Sequence, residues 1–306
     1  TALTVRVTNG TADGEFVAGD QVIVDIYHHG RPLHTLREQL DDEGNVVLQD
    51  VPAGGHLQAL VQVRHQNTLF SSSAVQLTPG ENVEAVVRVF DVTSDTTPLN
   101  AAMHHIIIAA QSETVRFSEF MQLENTSDMA VGSKGSDEPV ISISLPEGFA
   151  NLELHSHFRS EAIVTTEKGF YDTMAIAPGR YEAGFSYTLQ ADSEAIDIAR
   201  TITLPTANLI LFVEQAGLQV EGLNVPKSSL VNSEGATVNY YKLTDLKQGD
   251  MLSFRIAGFT ARRDDSYVMW IVLIVVFASI AVVALVRTLR QGSAPSKVPT
   301  GRRDES

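Results

Sequence analysis

The amino-acid sequence predicts an all-β protein with two tandem β-sandwich domains, transthyretin-like or immunoglobulin-like, followed by one transmembrane α-helix. Short runs that alternate apolar and polar residues fill the chain as far as residue 262, and turns rich in Gly, Pro, Asn and Asp separate them. A period of two residues is typical of strands that bury one face. Near the C-terminus, a single uncharged apolar stretch of twenty residues replaces this alternation.

The first domain is predicted over residues 1–93. Its alternating runs are LTVRVTN, DQVIVDIYHH, NVVLQDV, LQALVQVRHQ, SSSAVQL and ENVEAVVRVF. Turn formers such as Asn9-Gly10 and the segment PAGG at 52–55 separate the runs, because Gly accepts positive φ and Pro has a fixed φ. Residues 94–102 lack the alternation and are predicted to form a linker.

Three segments of this domain carry a family resemblance. They are VAGDQVIV at 17–24, DDEGNVVLQDVPAG at 41–54 and LTPGENV at 77–83. In this order they resemble the carboxypeptidase regulatory-like domain, a seven-stranded transthyretin-like β-sandwich. The resemblance covers about the first 90 residues. It implies a non-catalytic module of the kind that serves as a spacer or adhesion unit in secreted bacterial proteins.

The second domain is predicted over residues 103–262 as a larger β-sandwich. Its runs include HHIIIAAQ, TVRFSEFMQLEN, PVISISL, NLELHSHF, RYEAGFSYTL, NLILFVEQ and MLSFRIAGF. The whole layout resembles a group of bacterial membrane-anchored proteins, through His104-His105, the phrase FMQLEN at 120–125 and the terminal apolar stretch. That resemblance implies a connection with cytochrome c maturation or other membrane electron transfer.

The apolar stretch at 267–286 is predicted to cross a membrane. It contains no charge, Pro or Gly, and at ~1.5 Å per residue a helix of this length covers roughly 30 Å, the hydrocarbon thickness of a bilayer. Tyr267 and Trp270 are the expected interfacial anchors on one side, and Arg287 and Arg290 begin a basic tail on the other.

The positive-inside rule orients this helix with the tail, residues 287–306, in the cytoplasm. The two β domains are then extracytoplasmic at a bacterial inner membrane, and a signal peptide is expected to have been removed before Thr1. Within the helix, Ala278, Ala281, Ala284 and Leu285 form a narrow face. This face is predicted either to pack against another membrane helix or to lie against lipid.

Composition narrows the possible partners. The chain has 37 acidic and 22 basic residues, a net charge of −15, which argues against nucleic acid as a partner. It has no cysteine, so disulfides, thiolate metal sites and a thiol nucleophile are excluded.

Histidines provide the candidate metal ligands. In a strand, His155 and His157 point to the same face and are predicted either to ligate a metal ion or to belong to a solvated face. The adjacent pairs His28-His29 and His104-His105 are poorer chelates, because neighbouring strand residues face opposite ways unless the backbone bends.

The sequence contains none of the common catalytic or nucleotide-binding motifs. We therefore expect no enzyme and no cofactor. The leading hypothesis is a membrane-anchored accessory or scaffolding subunit that docks its external domains onto a larger membrane assembly. Two alternatives are a binding module for cell-wall or protein ligands, and a metal- or haem-handling factor in cytochrome assembly.

Overall fold

A computed structural model describes residues 1–111, 113–133, 138–191, 194–213, 217–231 and 237–258. The prediction of an all-β fold is confirmed: these residues form 23 strands and one short 3-10 turn, Ser160–Ala162. The predicted membrane helix, its aromatic and arginine anchors, its alanine face and the tail lie outside the described residues. No helix in the described ranges has the length and apolar character needed to cross a bilayer.

The first eight strands form the N-terminal unit, residues 1–90. They are β1 (Ala2–Asn9), β2 (Gln21–His28), β3 (Arg31–Gln39), β4 (Asn45–Leu48), β5 (Leu57–His65), β6 (Thr68–Ser71), β7 (Val75–Gln76) and β8 (Asn82–Val89). One sheet has the order β4-β1-β8, and the other has the order β3-β2-β5-β6 with β7 also paired to β5. Alternate residues of both sheets are buried in one common core, including Val5, Val24, Val61 and Val87. The alternation in the sequence therefore corresponds to two facing layers.

Fifteen further strands follow. They are β9 (Val92–Thr93), β10 (Leu99–Ala110), β11 (Thr114–Asn125), β12 (Ala130–Val131), β13 (Ile141–Ser144), β14 (Ala150–Ser156), β15 (Ile163–Thr166), β16 (Gly169–Asp172), β17 (Gly179–Gln190), β18 (Ala195–Thr201), β19 (Thr206–Val213), β20 (Gln219–Glu221), β21 (Lys227–Val231), β22 (Thr237–Leu246) and β23 (Met251–Ala257). The predicted linker at 94–102 thus includes the start of β10.

The strands from β10 onwards, except β12, form the C-terminal unit around a seven-stranded sheet. Its order is β14-β17-β11-β10-β19-β22-β21, with β10 and β19 parallel at its centre. Two three-stranded sheets, β13-β16-β15 and β18-β23-β20, share one apolar core with this sheet. Residues such as Phe117, Phe185 and Leu211 line the large sheet's side of that core.

The C-terminal unit has two distinct ends. At one end, β10 begins at Leu99, opposite Asn125 at the end of β11. At the other end, the last strand finishes at Ala257, which is paired with Ala195 and Gln219. A strand of twelve residues such as β10 extends about 40 Å. The chain therefore enters the unit at one end and leaves β23 at the opposite end.

Candidate functional site at the joint of the two units

The joint is the region where the two units meet, and Asp91 lies at its centre. Its carboxylate accepts hydrogen bonds from the Asn9 side chain (2.6 Å to Oδ1) and from the Glu15 backbone N–H (3.1 Å to Oδ2). Its backbone carbonyl accepts a hydrogen bond from the Ala130 N–H at 2.8 Å. One residue thus binds the N-terminal unit through its side chain and β12 through its backbone.

His65, at the end of β5, completes this centre. Its ring is only 2% exposed, with Nδ1 2.7 Å from Asp20 Oδ2 and Nε2 3.1 Å from Asp91 Oδ1. Because both ring nitrogens face carboxylates, neither is left for a metal ion or a substrate. The arrangement of His65 is therefore structural.

Burial raises the pKa of Asp91, but the hydrogen bonds from Asn9, His65 and the Glu15 backbone outweigh burial. The pKa of Asp91 therefore lies below its ordinary value. Hydrogen bonds to the charged form favour ionisation. The carboxylate is consequently ionised at neutral pH, which strengthens the bonds that it accepts.

Further bonds cross the joint at several points. The Thr11 hydroxyl donates to the Asp128 carbonyl at 2.9 Å, and the Ala12 N–H donates to the Asp128 carboxylate at 3.0 Å. Strand β9 pairs with β12 in parallel, and Val131 of β12 also bridges Ile176.

Side chains also pack closely in the joint. Ala130 is fully buried in the core of the N-terminal unit. A Cβ at Gly132 would lie 2.9 Å from the Val92 side chain and 3.1 Å from that of Ala175. Backbone bonds, side-chain bonds and close packing therefore all contribute to the joint.

A second polar cluster lies inside the C-terminal unit. Glu119 on β11 has no solvent exposure and accepts hydrogen bonds from Arg200, from His104 Nε2 at 2.8 Å and from the Tyr187 hydroxyl at 3.0 Å. Arg200 comes from β18 in a small sheet, whereas the other three residues belong to the large sheet. The cluster therefore ties two layers of the unit together.

Electrostatic interactions keep Glu119 ionised at neutral pH and paired with Arg200. Burial raises the pKa of Glu119, but the Arg200 charge and the His104 contact outweigh burial and lower the pKa to about 2. Burial and the neighbouring carboxylate raise the pKa of Tyr187 well above its usual value. His104 Nε2, the Tyr187 hydroxyl and one terminal nitrogen of Arg200 each donate to Glu119, whereas Arg200 Nε has no hydrogen-bond partner within the described residues.

His104 and His105 face opposite sides of the large sheet, as expected for adjacent strand residues. While His104 contacts Glu119, the ring of His105 packs edge-on against Phe212 with centroids 5.4 Å apart. Burial and the nearby His104 lower the pKa of His105 to about 4. Both histidines thus have hydrogen-bonding or packing roles here.

The predicted metal ligands His155 and His157 have different surroundings. His155 is exposed on β14, whereas the side chain of His157 is only 9% exposed and its Nε2 lies 3.7 Å from Asp172 Oδ2. Between them Ser156 has φ +59°, where β14 ends. Among the residues that the structure describes, no three His, Asp or Glu side chains are grouped around a metal position. Metal ligation by this pair stays a prediction.

His157 and Asp172 form an incompletely bonded pair. Within the part of the chain that the structure describes, neither His157 Nε2 nor Asp172 Oδ2 has a hydrogen-bond partner. Burial raises the pKa of Asp172 to about 6 despite a hydrogen bond from the Met174 N–H, and burial together with Arg159 lowers the pKa of His157. Each residue therefore favours its uncharged form.

Sequence reasoning missed both polar clusters. For the inner cluster a signal existed, because Glu119 shares the strand phase of the apolar Phe117 and Met121. A charge in phase with core residues needs a buried counter-charge. For the joint, Asp20, His65 and Asp91 are far apart in the sequence and no local pattern connects them.

No family model matches the chain, and no curated protein matches it.

Proposed function

We propose that this chain is a non-enzymatic, membrane-anchored scaffolding subunit that holds its N-terminal unit at a fixed distance from the membrane and docks it onto a larger membrane assembly. The joint is the observation that supports this proposal best. Two domains joined only by a flexible linker need no specific contact with each other. A spacer of fixed length requires such a contact between its domains. Asp91, His65 and the β9-β12 pair provide such a contact.

The direction of the chain adds support. The joint lies at the end of the C-terminal unit where β10 begins, and β23 finishes at the other end. The predicted membrane helix starts at residue 267, nine residues after Gly258. In this arrangement the C-terminal unit separates the N-terminal unit from the membrane by about 40 Å, the length of a twelve-residue strand.

The finer parts of the proposal follow from the sequence. We assign the N-terminal unit to transthyretin-like β-sandwiches and the C-terminal unit to immunoglobulin-like sandwiches, both on the extracytoplasmic side of a bacterial inner membrane. The partners are other protein subunits of a membrane complex, and electron transfer is the class of complex to which the resemblance points. The acidic composition and the absence of cysteine suit this role without a cofactor.

A distance measurement tests the fixed geometry. Because the chain has no cysteine, Val86→Cys and Met251→Cys, at exposed positions of the two units, allow selective spin labelling of the full chain in detergent. We expect a narrow distance distribution in pulsed electron paramagnetic resonance, and a broad one after Asp91→Ala. The matched control is Asp197→Ala, an exposed acid on β18. Equally broad distributions in the parent and in Asp91→Ala would contradict a fixed spacer.

Docking is tested by gentle extraction of the membrane followed by native electrophoresis. The scaffold hypothesis expects proteins that co-migrate with the full chain and that are lost with Asp91→Ala but retained with Asp197→Ala. A monomer without co-migrating proteins would exclude the docking role while leaving the spacer geometry intact.

One observation favours the alternative of a binding module. A cleft of about 460 Å³ lies at the joint end of the C-terminal unit. It is formed by residues 96–97, 139–142, 201–205 and 248–249, none of which is charged. A neutral cleft suits an uncharged cell-wall polymer or an extended peptide. Purified cell-wall polymer should then bind the full chain and lose binding with Ser142→Trp inside the cleft, but not with Ser144→Trp outside it.

A further inference from the structure

Strand β3 forms one edge of the larger sheet in the N-terminal unit. It pairs with β2 on one side, and within the described residues no strand pairs with its other side. Eight of its nine residues are exposed, and the ninth, Leu36, is half-buried at the margin of the core. Both faces of β3 are open, because the opposite sheet has only three strands and does not cover it.

The free edge of β3 presents backbone donors and acceptors at alternate residues. Just after β3, the Leu40 N–H donates to the Asp20 carbonyl at 3.1 Å. Bonded residues alternate along an antiparallel ladder, so every second residue back from Leu40, including Leu36, bonds to β2. Thr35 and Arg37 therefore direct their N–H and C=O groups away from β2. Such an edge can accept a further strand.

The side chains of β3 are complementary to those of a second copy of the same strand. When two copies are aligned antiparallel with Leu36 opposite Leu36, His34 of each copy lies opposite Glu38 of the other. These three residues share one side of the sheet, because they alternate along the strand. On the other side Thr35 lies opposite Arg37, so the residues with free backbone groups face each other.

Charge favours this register over its neighbours. A shift by two residues in one direction places Arg37 opposite its own copy, and a shift in the other direction places Glu38 opposite Pro32. Opposite charges across a strand pair stabilise it, whereas like charges destabilise it. The favoured register also brings Arg31 towards the acidic turn at 41–43 of the other copy. Apolar and charged side chains are thus matched along the whole edge.

We propose that the free edge of β3 binds a second copy of this chain, so that two N-terminal units share one continuous sheet with a two-fold axis at Leu36. A two-fold contact uses the same surface on both copies, as a self-complementary strand requires. Each bonded pair of an antiparallel ladder exchanges two hydrogen bonds, so the two pairs of Thr35 with Arg37 contribute about four.

The features that protect an edge strand are compatible with this contact. Charges and Pro on an edge deter unspecific pairing. In β3, Pro32 lies outside the paired segment 34–38, and the charges are matched in one register only. The contact belongs to the N-terminal unit and does not depend on the scaffold role. The two copies point in opposite directions along β3, an orientation that the full chain can adopt freely in detergent.

Cross-linking of the full chain in detergent tests the contact. Because the chain has no cysteine, Leu36→Cys introduces a single thiol at the proposed axis. Opposite residues of a non-hydrogen-bonded pair have Cα atoms about 4.5 Å apart, a separation that a disulfide can span. Mild oxidation should therefore convert most of Leu36→Cys to a covalent dimer. Val86→Cys, at an exposed position of the other sheet, is the control and should stay monomeric.

Exchange of the charges tests the register. Light scattering of the full chain without substitutions should show reversible dimerisation. His34→Glu places like charges opposite each other twice in the dimer and should weaken dimerisation about tenfold. Glu38→Lys removes both opposite-charge pairs and should weaken dimerisation as well. The double variant restores opposite charges and should recover it. Within one copy the two residues are about 13 Å apart along the strand, so this recovery cannot arise inside a single chain.

Three results would overturn the proposal. They are a full chain that stays monomeric at every concentration, cross-linking of Leu36→Cys no greater than that of Val86→Cys, and a double variant that dimerises no better than His34→Glu. Because His34 and Glu38 are exposed, their variants should keep the parent's circular dichroism and unfolding temperature. Loss of the dimer then reports on the contact and not on folding.

Discussion

Two acids buried in the C-terminal unit, Glu119 and Asp172, are both without solvent exposure, yet their pKa values move in opposite directions. The pKa of Glu119 falls to about 2, whereas that of Asp172 rises to about 6. Glu119 has three donors, one of them the charged Arg200. Asp172 Oδ1 accepts a hydrogen bond from the Met174 N–H at 2.8 Å. Its other oxygen, Oδ2, lies 3.7 Å from His157 Nε2.

Desolvation raises the pKa of both acids, so the partners decide the outcome. A guanidinium in contact keeps Glu119 charged and makes it a cross-link between sheets. Among the described residues no charged donor contacts Asp172, so desolvation dominates and its environment favours the protonated acid. The comparison predicts that removing the first carboxylate destabilises the fold, whereas neutralising the second stabilises it.

The largest effect is expected for Glu119→Ala, which leaves Arg200 as a buried cation without its carboxylate. Breaking a buried pair in this way costs about 3–5 kcal/mol of unfolding free energy. Urea unfolding followed by circular dichroism measures it. Arg255→Gln, which breaks an exposed pair with Asp197, is the control and should change the free energy by less than about 1 kcal/mol. Equal effects of the two substitutions would contradict the cross-linking role of Glu119.

The second prediction concerns Asp172→Asn and has the opposite sign. Folded Asp172 holds its proton up to about pH 6, whereas the ordinary value is 3.8. Between these pH values the folded state binds more protons, so this residue's contribution to stability falls as the pH rises through about 6. Asn keeps the acceptor for Met174 without the charge. The variant should therefore be more stable than the parent at pH 7.5, by up to about 3 kcal/mol.

The pH dependence provides the control for this prediction. The advantage of Asp172→Asn should shrink between pH 7.5 and pH 5, where the parent's acid is protonated. His157 acts in the opposite direction: its pKa is lowered, so its contribution to stability decreases as the pH falls through 6.5. Adding His157→Gln to Asp172→Asn removes the contribution of His157, so the two pH-dependent contributions to stability can be measured separately. A variant less stable than the parent at pH 7.5 would show that the carboxylate has a compensating partner.

Asp91→Ala is expected to have a smaller effect on stability than Glu119→Ala, because it loosens the joint and not a core. Leaving the partners of a partly buried carboxylate unpaired costs about 1–3 kcal/mol. Calorimetry should show one unfolding transition of the parent separating into two, one for each unit. Asp197→Ala should keep the parent's profile. A single lowered transition in Asp91→Ala would indicate that the two units do not unfold independently.

How far the sequence determines these features depends on the range of the interactions. Alternation alone predicted the β class, because the buried phase of β1, β2, β5 and β8 follows directly from period two. Local pattern did not reveal the parallel pairing of β10 with β19, which joins strands separated by about a hundred residues. The apolar stretch at 267–286 lies outside the described residues, so the membrane helix stays a prediction.

The candidate sites show the same limit. The turn at His29-Gly30 changes the direction of a histidine that strand periodicity placed on the opposite face from His28. The positive φ of Ser156 likewise interrupts the alternation on which a shared face for His155 and His157 depended. Both departures arise at single backbone residues, and the contacts that select them come from distant parts of the chain.

The smallest effect is expected at an ion pair on the outer face of the large sheet. Arg116 Nη2 lies 2.5 Å from Glu153 Oε2, with side-chain exposures of 22% and 52%. The Arg116 hydrogen bond lowers the pKa of Glu153, so the stability that this pair contributes is lost as the pH falls through the lowered pKa. However, Arg116 Nε is buried and has no hydrogen-bond partner among the described residues, which offsets part of the gain. Arg116→Gln should therefore change the unfolding free energy by less than about 1 kcal/mol, and Glu153→Gln should match it. A loss of unfolding free energy as large as that of Glu119→Ala would contradict this comparison. It would mean that an arginine–carboxylate pair stabilises the fold equally well when exposed and when buried.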